Sequence, residues 1–302
     1  AEEQVEAAVI ETGLGGLLDS TNVVEPMLTI ITNVTMEHAD RCGGTLAGIA
    51  AHKAGIIKEG VPVITAATGE SLVIIEQRAE ELGADLFVCG EDFSAQLFFP
   101  KEGGQRIAFH SVVCREPEPF DLALAGTCQA ENAALVIMAA KLLEREDARV
   151  TESTVRMALR TVRHPARFEI LTQKDLPVVI DGAHNPAGMR ALRAGLDAYF
   201  PNLPRVFLLG ILKDKDIETM LTALLRPGDT VVTVRPNSAR AAAADVVAAA
   251  ASGLGAITCA CGDPQAALTE AENRAQRSHA LLVAAGSLYL VGGIRALLME
   301  GR

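Results

Sequence analysis

The stretch VVIDGAHNPAG, residues 178–188, sets an apolar run directly against a turn and a helix start. The branched residues Val178, Val179 and Ile180 read as a strand. Asp181 ends it. Asn185 suits a helix N-cap, and Pro186 suits the first helical position, where a missing N–H is no loss. Downstream the same unit repeats. Strands are expected at LPVVI (176–180), RVFLLG (205–210), TVVTV (230–234), AITCA (256–260) and ALLVAAG (280–286). Helices are expected from Pro186 and over 217–225, 239–251, 264–277 and 289–298. Strands this continuously apolar, alternating with helices, predict a doubly wound parallel sheet covered on both faces.

Upstream the pattern is α/β but less regular. VEAAVIE (5–11) and PMLTIITNV (26–34) read as buried strands, and 45–58 as a helix before the strand PVITAA. A helix over 71–83 ends at Gly83 before the strand LFVCG. AQLFFP and RIAFHSVV read as a β-hairpin around KEGGQ, and 128–146 as a long helix. The short, basic, proline-containing TVRHPARFE (161–169) reads as a linker. It divides the chain into a domain over 1–163 and a Rossmann-like domain over 164–302.

The chain has 302 residues, 49% of them hydrophobic, with a formal charge of −11. That length suits about two domains of roughly 100–200 residues. The acidic balance speaks against non-specific binding to nucleic acid or an anionic membrane. It leaves room for an anionic substrate at a locally basic site. No apolar run reaches the roughly 18 residues of a membrane span, and no secretory signal pattern is present. Six scattered cysteines fit a reduced, cytoplasmic setting. Cys259 and Cys261 would face one side of a strand and, lacking a second ligand pair, read as core packing.

In open α/β sheets, sites form at the carboxyl ends of strands. Glu11 stands at such an end, beside the glycine-rich turn of VIETGLGGLLDSTNVV (9–24). It is either a solvated acid or a ligand-facing one. His38, in TNVTMEHAD, is either a capping histidine or a metal ligand or base. Lys53 shares a helical stripe with Leu46, Ile49, Ala50 and Ile57, the apolar inward face. A buried ammonium has to be paired, neutralised or modified, unless its stem snorkels to water. Lys58 falls off the stripe and is expected in solvent. Asp181 and His184 share one turn, beside a helix amino end that could favour an anion.

Seven segments together resemble the folylpolyglutamate synthase/dihydrofolate synthase family, a branch of the Mur ligases. They are ETGLGGLLDSTNVV, ITNVTMEHADRCGGTLAGIAAHKAGIIKEGVPV, GTCQAENAALVIMAA, RHPARFEIL, VVIDGAHNPAG, LLGILKDKD and AAGSLYLVGGIRALL, in family order. The resemblance implies a truncated Mur-ligase-type central ATPase domain followed by the Rossmann-like domain. It implies that ATP activates a carboxylate as an acyl phosphate, which the amine of L-glutamate attacks. The carboxylate would belong to a folate or to dihydropteroate. It also implies residue roles. Glu11, His38 and Lys53, the last as a carbamate, would hold Mg²⁺. Asn132 would lie near the adenine and Arg167 at the phosphates. Asp181 and His184 would close over the nucleotide and reacting groups. The expected assembly is a monomer.

The chain departs from the family pattern in several places. No glycine-rich loop ending in Gly-Lys-Ser/Thr occurs in the 302 residues. On that basis the chain is expected to be a fragment, inactive on its own. Leu17 stands where an arginine is usual, Glu37 where an aspartate is, and Cys128 where a histidine is. Two other readings stay open: a Mur-type ligase acting on a cell-wall precursor, and a non-catalytic truncated homologue.

Overall fold

A computed structural model of the chain describes residues 5–36, 42–101, 103–112, 114–173 and 175–300. Two compact units are present. One comprises Ala1–Gln96, Ala108–Pro119 and Glu131–Arg156, the other Leu97–Ile107, Phe120–Ala130 and Met157–Arg302.

In the first unit, β1 (Thr29–Ile31), β2 (Val63–Thr65) and β3 (Leu86–Val88) form a parallel sheet in that order. The crossovers carry α1 (Leu46–Ala54) and α2 (Gly69–Glu81). Thr45 caps α1, its hydroxyl accepting from the Gly48 N–H at 3.0 Å. The core gathers Ile31, Ala54, Ile57, Val63, Ala67 and Ile75. The expected strand over 5–11 is not formed. Val5, Val9 and Ile10 lie exposed, outside regular secondary structure. An apolar run becomes a strand only where a neighbour supplies hydrogen-bond partners, and no described strand pairs with these residues.

A second sheet has the order β4 (Phe93–Lys101), β5 (Gly104–Ser111), β6 (Cys114–Leu122). The hairpin expected around KEGGQ supplies its first two strands. Next come α3 (Cys128–Leu143) and α4 (Glu152–Thr161).

The remaining sheet has six strands in the order β11-β10-β9-β12-β8-β7. Its strands are β7 (Glu169–Gln173), β8 (Leu176–Ile180), β9 (Arg205–Leu209), β10 (Thr230–Val234), β11 (Ile257–Cys261) and β12 (Leu281–Ala285). The connecting helices are α5 (Pro186–Tyr199), α6 (Ile217–Leu224), α7 (Ala244–Gly253) and α8 (Pro264–Ser278), with α9 (Leu288–Glu300) following β12. All neighbours are parallel except β7, which runs antiparallel to β8.

Successive strand residues face opposite sides. Val179, Phe207, Leu209, Val231 and Val283 pack with α5, α6 and α7. Val178, Ile180, Val206, Leu208, Val232 and Leu282 pack with α8 and α9. From β8 to β11 the helices lie on one face as the sheet grows in one direction. The chain then reverses, and α8 crosses the other face to place β12 between β9 and β8. A right-handed crossover changes face when the direction of winding changes. This is the expected doubly wound sheet, with an antiparallel edge added.

Two expectations need correction. The helix predicted over 239–251 starts only at Ala244, because Ala241 bridges Leu212 antiparallel and the Ala242 N–H bonds to the Ile211 carbonyl. The segment read as a linker is anchored: Ala166 and Phe168 are buried, and Glu169 opens β7.

Candidate functional site

Asp181 follows β8 at its carboxyl end, its own N–H bonded to the Ala284 carbonyl of β12. Both carboxylate oxygens accept backbone donors, Oδ1 from Ala183 and Oδ2 from Phe168, each at 2.8 Å. Burial pushes the Asp181 carboxyl above its usual range, opposed by those two N–H groups and by the charges of Arg167 and His184. The neighbouring Gly182 N–H reaches the Ala166 carbonyl at 2.7 Å. His184 Nδ1 lies 2.8 Å from the Gly182 carbonyl. A carbonyl can only accept, so Nδ1 carries the proton, and in the neutral ring the lone pair sits on Nε2. Asn185 caps α5 as expected, accepting from the Gly188 N–H at 2.6 Å, with Pro186 beginning the helix.

Arg167 stands opposite this turn, exposed between two buried neighbours. Ala166 and Phe168 adopt left-handed backbone, at φ 58° and 46°. Such conformations disfavour residues with a Cβ by about 1–3 kcal/mol each and persist only where the surroundings over-determine them. The surroundings here do so. Phe168 packs into the core on the α5 face, its ring 5.3 Å from that of Tyr199. Ala166 packs into the core on the opposite face. The Ala166 N–H donates to Glu169 Oε2 at 2.9 Å. The structure therefore brings together Arg167, Asp181 and His184, three of the expected site residues. The Glu169 contact was not anticipated; a carboxylate opening a strand two residues after an arginine was the available signal.

The other expected residues lie in the first unit. Glu11 is exposed, outside regular secondary structure, and Asn132 is exposed on α3. Lys53 sits in the last turn of α1 and is half-buried, while Ile49, Ala50 and Ile57 on its stripe are fully buried. It lies at the margin of the apolar face. Lys58, expected in solvent, is half-buried and donates to the Asn22 carbonyl at 2.9 Å. His38 falls outside the described residues. Among the described residues no three His, Cys, Asp or Glu side chains gather as a metal site.

The glycine-rich turn between Glu11 and Asn22 has a local explanation. It docks on the end of α1: the Leu17 N–H donates to the His52 carbonyl at 2.7 Å, and Asn22 Nδ2 donates to the Gly55 carbonyl at 3.0 Å. A Cβ on Gly16, at φ 156°, would fall 2.8 Å from the His52 carbonyl oxygen. Asp19 closes the turn, accepting from the N–H groups of Leu14 and Thr21 and from the Thr21 hydroxyl. These bonds hold its carboxyl down at about 2.

Comparison with known proteins defines the class. Residues 1–140 match the Mur ligase middle domain, and 166–288 the Mur ligase glutamate ligase domain. Over 226 residues the chain is 39% identical to the dihydrofolate synthase/folylpolyglutamate synthase of Bacillus subtilis, covering 73% of this chain and 51% of that protein. It superposes on the folylpolyglutamate synthase of Thermotoga maritima with a TM-score of 0.80 and 31% identity, over 100% of this chain and 67% of the other. The Mycobacterium tuberculosis folylpolyglutamate synthase, solved with ADP and AMPPCP, gives a TM-score of 0.85 and 27% identity, over 100% and 70%. The chain belongs to the folylpolyglutamate synthase/dihydrofolate synthase family. It spans about half the length of the curated relatives it matches, 51% and 56% for two of them.

Proposed function

We propose that the protein uses ATP to join L-glutamate to the carboxylate of a folate or of dihydropteroate, through an acyl phosphate. The observation that supports it most is the convergence of Arg167, Asp181 and His184 at one strand end in a chain of this family. In this reading Arg167 contacts the nucleotide phosphates, where a guanidinium neutralises charge in phosphoryl transfer. The His184 ring is oriented by the Gly182 carbonyl, which aims Nε2 at the reacting groups. Asp181 acts chiefly by holding the turn, since both its oxygens already accept N–H groups. Asn132 lies by the adenine. Residues 1–163 form the ATP-binding ligase domain and 164–302 the C-terminal one.

Magnesium prefers oxygen ligands, commonly one or two carboxylates completed by water and substrate phosphate. Glu11 offers one such oxygen. Lys53 offers another only as a carbamate, because an ammonium repels the ion. Those two oxygen donors suit the ion, and Glu11 and carbamylated Lys53, with a ring nitrogen of His38, would hold it. When bound, it would neutralise phosphate oxygens. No helix among the described residues is long and apolar enough to cross a membrane. A cytoplasmic monomer without nucleic-acid or membrane partners belongs to the same proposal.

The test is phosphate release by the purified natural protein with ATP and Mg²⁺. Release that requires both L-glutamate and either a reduced folate or dihydropteroate is expected. Turnover only with a cell-wall peptide precursor would overturn the reading.

A further inference from the structure

We propose that the ion pair of Glu169 and Arg295 is a positioning device that presents Arg167 to an anion. The inference rests on reading Arg167 as a phosphate contact. Arg295 lies on α9, 126 positions from Glu169 in sequence, and grips its carboxylate with two nitrogens. Nε reaches Oε2 at 2.8 Å and Oε1 at 3.1 Å, and Nη2 reaches Oε1 at 2.9 Å. A fork on a carboxylate fixes direction as well as distance. The fixed Oε2 in turn accepts the Ala166 N–H at 2.9 Å.

The other side of Arg167 is held independently, by Asp181 on the Phe168 N–H. Among the described residues only four non-glycine residues have positive φ, and two of them flank Arg167. An unrestrained chain would leave this conformation for ordinary helical or extended backbone. With Ala166 in one core layer and Phe168 in the other, the residue between them is left exposed. Glu169 and Arg295 thus restrict where the Arg167 guanidinium can be, although neither need touch a ligand. Preorganisation of this kind raises affinity by removing an ordering cost from the binding step.

The experiment titrates inorganic tripolyphosphate into the 302-residue chain by calorimetry, alongside mass spectrometry of a native tryptic digest. Glu169→Gln and Arg295→Met should each raise the Kd about tenfold, equivalent to ~1.4 kcal/mol. Both should open the Arg167–Phe168 bond to trypsin. Arg167→Ala should raise the Kd at least as far, and adding Glu169→Gln to it should change nothing more. Should Glu169→Gln fail to fold, Arg295→Met carries the same test. If Arg167→Ala weakens binding while both pair variants bind as the unaltered chain does, the positioning claim falls and the phosphate reading stands. If Arg167→Ala changes nothing, or the unaltered chain does not bind millimolar tripolyphosphate, the phosphate reading falls and the inference with it.

Discussion

Phe168 and Asp181 stand thirteen positions apart in the chain, yet the Phe168 N–H donates to Asp181 Oδ2 at 2.8 Å. One side chain thereby fixes the residue that follows Arg167 and, through Oδ1, the turn that carries His184.

Asp181→Asn keeps the shape but leaves one oxygen where there were two, so one of the two N–H groups loses its acceptor. A buried donor left unpaired costs about 1–3 kcal/mol. The expected outcome is a lower urea midpoint at unchanged slope, read by circular dichroism.

The same carboxyl sets a pH dependence. Its folded-state pKa is raised by burial, so the folded form binds its proton more tightly than the unfolded chain does. The stability this contributes is complete below about 3.9, the unfolded value, and is lost as the pH climbs through the raised value. From pH 4 upward the unaltered chain should lose stability relative to Asp181→Asn. A difference that grows in the opposite direction would show that the two N–H bonds outweigh burial.

Asp19 should behave in the reverse sense. Its carboxyl is held down at about 2 by the Thr21 hydroxyl and N–H and the Leu14 N–H. The stability it contributes is present above about 3.9 and fades as the pH falls toward 2. The advantage of the unaltered chain over Asp19→Ala should therefore shrink across that window, as measured by thermal melts.

Gly195→Ala sets two effects against each other. Alanine favours a helix over glycine by about 1 kcal/mol. Its Cβ, however, would sit 2.5 Å from Phe168 Cε2. Overpacking of that kind costs about 1–3 kcal/mol, so the net change should be a loss. Gly253→Ala, with nothing within 4 Å of its Cβ position, should be neutral or gain up to about 1 kcal/mol.

Lys53 offers a test that needs no turnover. Carbon-13 bicarbonate should produce a carbamate resonance that is lost in Lys53→Arg and retained in Lys58→Arg. No resonance at neutral to alkaline pH would remove Lys53 from the proposed metal site.

The repeating half of the chain was legible because strands buried on both faces and amphipathic helices leave distinct periods, and because Asn185–Pro186 is a strong start signal. The edges were less legible. β6 contains Pro117 and Pro119, which argue against a strand, and it forms nonetheless beside β5. Residues 5–11 erred the other way, since an apolar run does not reveal whether a neighbour will pair with it. The alanines at 239 and 241–243 have high helix propensity, but the bridge from Ala241 to Leu212 prevailed. At the site, Asp181 and His184 could be picked out by their chemistry, and Arg167 only through the family resemblance. Glu169 and Arg295 could not be paired, because 126 positions separate them and only the folded sheet brings α9 beside β7.

The placement of β12 bears on how this half is made. A nascent chain paused after β11 already holds five of the six strands, but as two separate pieces, β11-β10-β9 and β8-β7. The middle of the sheet is its last strand to emerge from the ribosome. Folding during synthesis therefore cannot proceed strand by strand. Until Leu281–Ala285 arrives, two open edges of apolar strand face each other across a gap, and the early pieces depend on being kept apart from other chains.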